Sequence, residues 1–186
     1  MNTESVIQIV AEKLGLPTYL VDEASNIYNE NLNLYKRIDE KNQLKLASLF
    51  MVCRINNIPR MLQDFSIAGN IDKIYLFKKY NKLLSTGKYI VPVQEPIIYL
   101  NRIASRLNID AKTIKWTENM LTKKSEICSL VGSNPMLRAG TVLYISCIKN
   151  KNKQYISQRD IAEACGGTTV AIISQSKKLR KAGIGC

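Results

Sequence analysis

The 186-residue sequence contains no histidine. That absence removes Ser-His and Cys-His nucleophile–base pairs and most zinc chemistry. Glycine-rich phosphate loops are missing as well, because Gly166-Gly167 and Gly183-Ile184-Gly185 fit neither the dinucleotide fingerprint nor the P-loop. The five cysteines (Cys53, Cys128, Cys147, Cys165 and Cys186) are scattered and form no C-x-x-C pair. An odd number of thiols with mostly apolar neighbours argues against a disulfide framework and against a zinc site. The expectation is buried, reduced thiols and hence a reducing intracellular compartment. No apolar run approaches the ~18–20 residues of a spanning helix, so no membrane is expected. The start MNTESVIQIV carries an acid early and has no basic stretch or small-residue cleavage site, unlike a secretory signal. No pair of carboxylates stands out for acid–base work. A binding protein without a cofactor of its own is therefore expected rather than an enzyme.

Acidic residues are scarce, and unevenly so. Residues 1–90 hold 12 Lys/Arg against 9 Asp/Glu, whereas residues 91–186 hold 15 against 6. The second half thus carries +9 of the total +12. Plain solubility would account for a basic surface, but so lopsided a distribution points to a polyanion, nucleic acid above all, held by the second half.

The chain also repeats itself. Glu12–Tyr28 lies over Ser105–Leu121 with an offset of 93, matching Leu14 to Leu107, Leu16 to Ile109 and Val21 to Ile114. LASLFMVC (Leu46–Cys53) falls on GTVLYISC (Gly140–Cys147) with an offset of 94. Ile67-Ala68-Gly69 then falls on Ala164-Cys165-Gly166 (offset 97), and Leu83 on Leu179 (offset 96). Because the offset drifts only between apolar segments, two repeats of roughly 90 residues are expected, residues 1–88 and 89–186. The join falls near GKYIVPVQEP, whose prolines and glycine discourage a continuous helix.

Each repeat reads as five helices, so the fold class is all-α. The first repeat gives Ser5–Leu14, with Val6, Ile9 and Val10 at helical spacing, then Leu20–Asn29, Gln43–Ile55, Met61–Ala68 and Asp72–Leu84. Gln43–Ile55 is apolar on nearly all faces, as befits a helix surrounded by others. The second repeat gives Pro96–Leu107, Ala111–Leu130, Pro135–Lys149, Ser157–Cys165 and Thr169–Lys181. Only YIVPV alternates like a strand.

The last two segments carry the functional signal. In SQRDIAEACGGTTVAIISQSKKL, Ser157 caps one helix, with Asp160 three residues on completing a capping-box spacing. Gly166-Gly167 permits a left-handed turn, Thr168 or Thr169 caps the next helix, and Val170, Ile172, Ile173 and Leu179 supply apolar positions. The pattern fits a helix-turn-helix, although many plain helical hairpins share the spacing. The lysines at 177, 178 and 181 favour DNA, since a purely structural hairpin needs no basic tail. In the first repeat Lys73, Lys78, Lys79 and Lys82 give the matching segment a basic face, which could equally be a solvated one.

At this level of detail the chain resembles the cyclin-like core of the transcription factor IIB family, including its archaeal members. That family's first repeat carries a stretch of the form A-x-L-Y-I-A-C-R-x-x-x-V-P-R. Here Ala47, Leu49, Phe50, Cys53, Arg54, Ile58, Pro59 and Arg60 stand in that register. SQRDIAEACGGTTVAI is similar to the second-repeat form Q-x-E-I-A-x-x-A-G-V-x-x-V-T-I-R, and the likeness runs from about Ser5 to Lys181. The resemblance implies a general initiation factor, acting as a monomer, that binds TATA-binding protein on bent double-stranded promoter DNA and helps recruit RNA polymerase. By position it implies an apolar base contact at Val170, with Gln158, Thr168, Thr169 and Ser174 around the same groove-facing surface. It places Ile173 in that surface too, and Lys177, Lys178 and Lys181 near phosphates. Arg54, Lys73 and Lys78 match first-repeat positions near TATA-binding protein or DNA.

Two departures accompany the likeness. Ile173 stands where the family has a guanine-reading arginine, and isoleucine cannot make the bidentate contacts to O6 and N7 that discriminate this base. The family's G-R-S-P turn is here Gly132-Ser133-Asn134-Pro135. The resemblance also implies a zinc ribbon and a linker ahead of the repeats. Nothing before Ser5 supplies them, so a core fragment of a longer protein is expected, or else a natural short form. The Asn-, Ile- and Lys-rich usage suits a large DNA virus or an archaeon, with nucleus, archaeal cytoplasm or viral factory as the compartment. Two rivals share the features. A cyclin-type kinase regulator needs a docking groove, for which Met136–Gly140 is only a loose echo. A stand-alone helix-turn-helix repressor should dimerise on a palindrome.

Overall fold

A computed structural model describes residues 3–123, 134–150 and 156–183. Cys128, Cys186, Gly132, Ser133 and residues 184–185, all singled out above, lie outside the described residues. Regular structure among the described residues is entirely helical. The chain divides into two compact units, Met1–Val93 and Gln94–Cys186. The first contains α1 (Thr3–Lys13), α2 (Tyr19–Asn31), α3 (Ile38–Ile55), α4 (Leu62–Gly69) and α5 (Lys73–Ser85). The second contains α6 (Ile97–Arg106), α7 (Ala111–Lys123), α8 (Pro135–Lys149), α9 (Gln158–Ala164) and α10 (Thr169–Lys181). A single 3₁₀ turn, Leu32–Leu34, follows α2.

Each unit is built around its third helix. α3 packs against α1, α2, α4 and α5, and α8 packs against α6, α7, α9 and α10. The cause lies in the side chains. Leu44 to Cys53 is buried without interruption, and in α8 Met136, Ala139, Val142, Leu143 and Ile145 are buried beside Gly140, Thr141 and Ser146. A helix buried all round must satisfy its polar side chains internally. In α8, Ser146 Oγ does so by donating to Val142 O (2.8 Å) and accepting from Thr117 Oγ1 of α7 (2.7 Å). In the first unit Phe50 meets Phe65 and Tyr80 edge-on at centroid distances of 5.4 and 4.9 Å, an arrangement the ring quadrupoles favour.

Two contacts recur in both units. Lys13 Nζ, in the last turn of α1, donates to Ala68 O at the end of α4 (3.2 Å). Arg106 Nη1, in the last turn of α6, donates to Ala164 O at the end of α9 (3.1 Å). In each case a cation satisfies a terminal carbonyl and complements the negative end of the helix dipole. Ala68 therefore corresponds to Ala164, an offset of 96 rather than the 97 aligned from sequence. With that offset Gly69 corresponds to Cys165, and the second shared contact appears. A Cβ on Gly69 would lie 2.1 Å from Leu46 Cδ1, and a Cβ on Gly140 would lie 2.3 Å from Cys165 Sγ. Leu46 and Gly140 are themselves aligned, so one helix crossing uses a large residue over glycine in the first unit. The second unit uses glycine under cysteine.

The described helices correct several sequence expectations. α3 begins at Ile38 rather than Gln43, with Asp39 and Glu40 in its first turn near the positive end of the dipole. Ile9 is exposed, and Ile7, Val10 and Ala11 form the buried face of α1. Gly69 is still helical; Asn70 takes the left-handed conformation (φ 50°) that ends α4, and Gly69 serves close approach instead. YIVPV forms no strand. Tyr89 ties that segment to the first unit, accepting from Asn31 Nδ2 (2.7 Å) and donating to Glu30 Oε2 (2.9 Å).

Candidate nucleic-acid interface

The site is a pair of helices and a turn. Ser157 Oγ accepts from Asp160 N (3.1 Å) while Asp160 Oδ2 accepts from Ser157 N (2.8 Å), closing a reciprocal cap on α9. Hydrogen bonds from Ser157 hold the Asp160 carboxyl below its ordinary range. Ile161 and Ala164 turn inward. Gly166 then takes φ 59°, a left-handed conformation that favours glycine and reverses the chain. Gly167 has a different task, since a Cβ there would lie 2.2 Å from Leu137 Cδ2. The cap of α10 is Thr168, whose Oγ1 accepts from Ala171 N (3.2 Å).

Burial divides α10 lengthwise. Ile172, Ser176 and Leu179 are buried. At 3.6 residues per turn, Val170, Ser174, Lys177, Lys178 and Lys181 fall on the opposite side, within about 100° of one another. All five are exposed. Val170, where the resemblance implies an apolar base contact, is 74% exposed, so its methyls face solvent. Ile173 flanks this stripe half-buried, and Thr169 and Gln158 are half-buried at the starts of their helices. The helix dipole also favours lysines in a last turn. That accounts for Lys178 and Lys181 but not for the alignment of Lys177 with Ser174 and Val170. No acid occurs anywhere in α10.

The first unit presents a different face in the matching place. With the offset of 96, Val170 corresponds to Ile74, Ile173 to Phe77, Ser174 to Lys78 and Lys178 to Lys82. Ile74 is 64% and Phe77 51% exposed. Sequence reading passes over both, although the offset from Val170 and Ile173 marks them. Lys73, Lys78 and Lys82 are exposed, with Lys78 Nζ 5.6 Å from the centre of the Tyr75 ring. Two other cations leave that face. Lys79 turns inward, paired with Glu40 at 2.9 Å and sitting 4.1 Å over the Tyr35 ring. Arg54 is half-buried at the end of α3, close enough to Tyr80 to favour the ionised phenol, although burial is the larger effect and pushes that hydroxyl up.

Among the described residues no cluster of three or more His, Cys, Asp or Glu could hold a metal ion. Burial pushes the Cys53 and Cys165 thiols up to about 12, so neither is a thiolate at neutral pH. No described helix is long and apolar enough to cross a membrane.

Comparison with known proteins gives a consistent set of relatives. Residues 1–86 match the family model described as the transcription factor TFIIB repeat. "Transcription initiation factor IIB" of Pyrobaculum aerophilum is 27% identical over 170 residues, covering 91% of this chain and 50% of its own length. "Transcription initiation factor IIB 2" of Thermoplasma acidophilum is 27% identical over 177 residues (93% and 56%). The Sulfurisphaera tokodaii initiation factor IIB is 25% identical over 174 residues (93% and 56%). The chain spans about half the length of the curated relatives it matches.

Proposed function

We propose that this chain, a relative of the transcription factor IIB family, is the promoter-gripping part of a transcription initiation factor. Its two units would bind TATA-binding protein and the DNA flanking a TATA element, and so help to place RNA polymerase. The observation that carries this reading is the exposed stripe of α10, an apolar and hydroxyl-bearing half followed by three lysines on one face. A face of that kind suits a duplex groove: its first turns meet base edges, and its lysines meet phosphates on the flanking strand. Thr168, Thr169 and Gln158 border the same face at the two helix starts and would contact the backbone or the base edges. In the first unit Lys73 and Lys78 would meet TATA-binding protein or DNA phosphates. Arg54, half-buried, would sit behind that surface rather than in it. The thiols and carboxylates supply no catalytic constellation to this reading, which is one of binding alone.

A stand-alone repressor would bind duplex DNA equally well without a partner. An electrophoretic shift on a TATA-containing duplex separates the two readings. The chain alone should bind weakly and lose binding steeply with salt, and adding TATA-binding protein should give a stable ternary band. Equally tight binding in both lanes would remove the initiation-factor reading.

A further inference from the structure

We infer that a cleft between the ends of α6 and α9 receives an arginine side chain from another protein, in a socket that the first unit fills with its own Arg60. The two units cap α4 and α9 alike. Met61 N donates to Asp64 Oδ2 (2.7 Å) and Ser157 N to Asp160 Oδ2 (2.8 Å), so the caps correspond at the offset of 96. Before the cap of α4 stands Arg60, whose Nη2 donates to Leu14 O just past the end of α1 (2.5 Å). The same place before α9 holds Ile156, which is buried and has no side-chain donor. Leu107, matched to Leu14 at the offset of 93, has no donor on its carbonyl among the described residues. An open cleft of about 490 Å³ lies there, lined by Leu107, Asn108, Ile156, Asp160 and Glu163 beside Arg106.

The lining selects a cation with several donors. Asp160 spends Oδ2 on the backbone and hydroxyl of Ser157, and its Oδ1 has no donor among the described residues. Glu163, standing where the first unit has Ile67, adds a second carboxylate. Its present partner Arg159 is 2.8 Å away, but that pair is 80% and 64% exposed and exchanges at little cost. A carbonyl and two carboxylates around one space match the planar, five-donor guanidinium better than a point-like ammonium. The local charge agrees. Among the described residues Arg106 is the one cation lining the cleft, and it already donates to Ala164 O. Acids therefore outnumber cations here, in a half-chain that carries +9 overall. A polyanion gains nothing at such a place, whereas a basic protein segment does. No arginine of this chain besides Arg106 lines the cleft, so the occupant belongs to a partner. The volume leaves room for the residues on either side of that arginine.

Amide NMR spectra of the chain, titrated with a blocked Ala-Arg-Ala tripeptide, test the assignment. Shifts should saturate and centre on Leu107, Asn108, Asp160 and Glu163. The tripeptide with citrulline in place of arginine, nearly the same shape without the charge, should leave those amides unmoved. Glu163→Gln changes an exposed side chain, so the variant should fold. It should weaken binding roughly two- to five-fold, the worth of one exposed ion pair. Ile156→Arg should fill the socket from within as Arg60 does, abolish the peptide shifts and raise the urea midpoint. Should that variant not fold, Glu163→Gln still decides, and undiminished binding by it counts against the site. Equal shifts with the citrulline peptide, shifts centred elsewhere, or full binding by a folded Ile156→Arg variant overturns the proposal. So does free L-arginine binding as tightly as the tripeptide, which would make the ligand a small molecule. None of these outcomes bears on DNA binding by α10.

Discussion

Replacing Lys177 and Lys178 together with alanine lowers affinity for all duplexes alike. The slope of log K against log salt flattens by about 2 units. Each lysine that neutralises a phosphate releases roughly one condensed counterion, so two contacts cost roughly fifty-fold at 0.1 M salt. Both side chains are exposed on the same face of α10, a helix without an acid, in the half of the chain that carries +9. Their removal leaves Val170, Ile173 and Ser174 untouched, so the ratio of affinities between two sequences should hold. Fluorescence anisotropy at a series of salt concentrations measures both quantities. A loss confined to particular sequences would mean that these lysines read bases rather than phosphates.

Gly140→Leu should destabilise the second unit by at least about 3 kcal/mol, seen as a lowered urea midpoint. Gly140 is buried where α8 crosses the end of α9, and even a Cβ would lie 2.3 Å from Cys165 Sγ and 3.2 Å from Ile161 Cγ2. Cys165 is itself buried, so its sulfur has little room to retreat. The first unit solves the same crossing with the sizes exchanged, Leu46 lying over Gly69. Adding Cys165→Gly to Gly140→Leu copies that arrangement. The double variant should be more stable than the Gly140→Leu variant, although Cys165→Gly alone should be harmful. Contacting residues couple by about 0.5–3 kcal/mol, and a double-mutant cycle resolves such a term. Strict additivity would show that the two crossings are not equivalent.

The helices around α3 and α8 are legible in the sequence because a run apolar on every face, in a chain of this length, belongs at the centre of a bundle. The caps at Ser157 and Asp72 are legible for a similar reason: a short acceptor before an apolar period has one common use. Asp72 indeed accepts from Ile74 N (2.6 Å). Other features need coordinates. Apolar spacing alone groups Val170 with Ile172 and Leu179, and only the family likeness marks it as a base contact. Its angular position opposite those two buried residues accounts for its exposure. Lys79 reads as one more solvated charge beside Lys78, and nothing in the local sequence announces Glu40 and Tyr35 beneath it. The first five residues of α3 escape notice because IDEKN is polar and shows no apolar period. The exchange of large and small residues between Leu46/Gly69 and Gly140/Cys165 is hidden by an offset wrong by one residue, which the carbonyls of Ala68 and Ala164 correct.

What the outer face of α10 touches is the central question, and photocrosslinking from position 174 reads that contact directly. Ser174 is exposed at the centre of the stripe, so a benzoylphenylalanine in its place should leave the fold intact. Irradiated in complex with TATA-binding protein on a promoter duplex, that group should attach to DNA bases on the upstream side of the TATA element. Attachment to protein alone, with the DNA unmodified, would contradict a groove-bound α10.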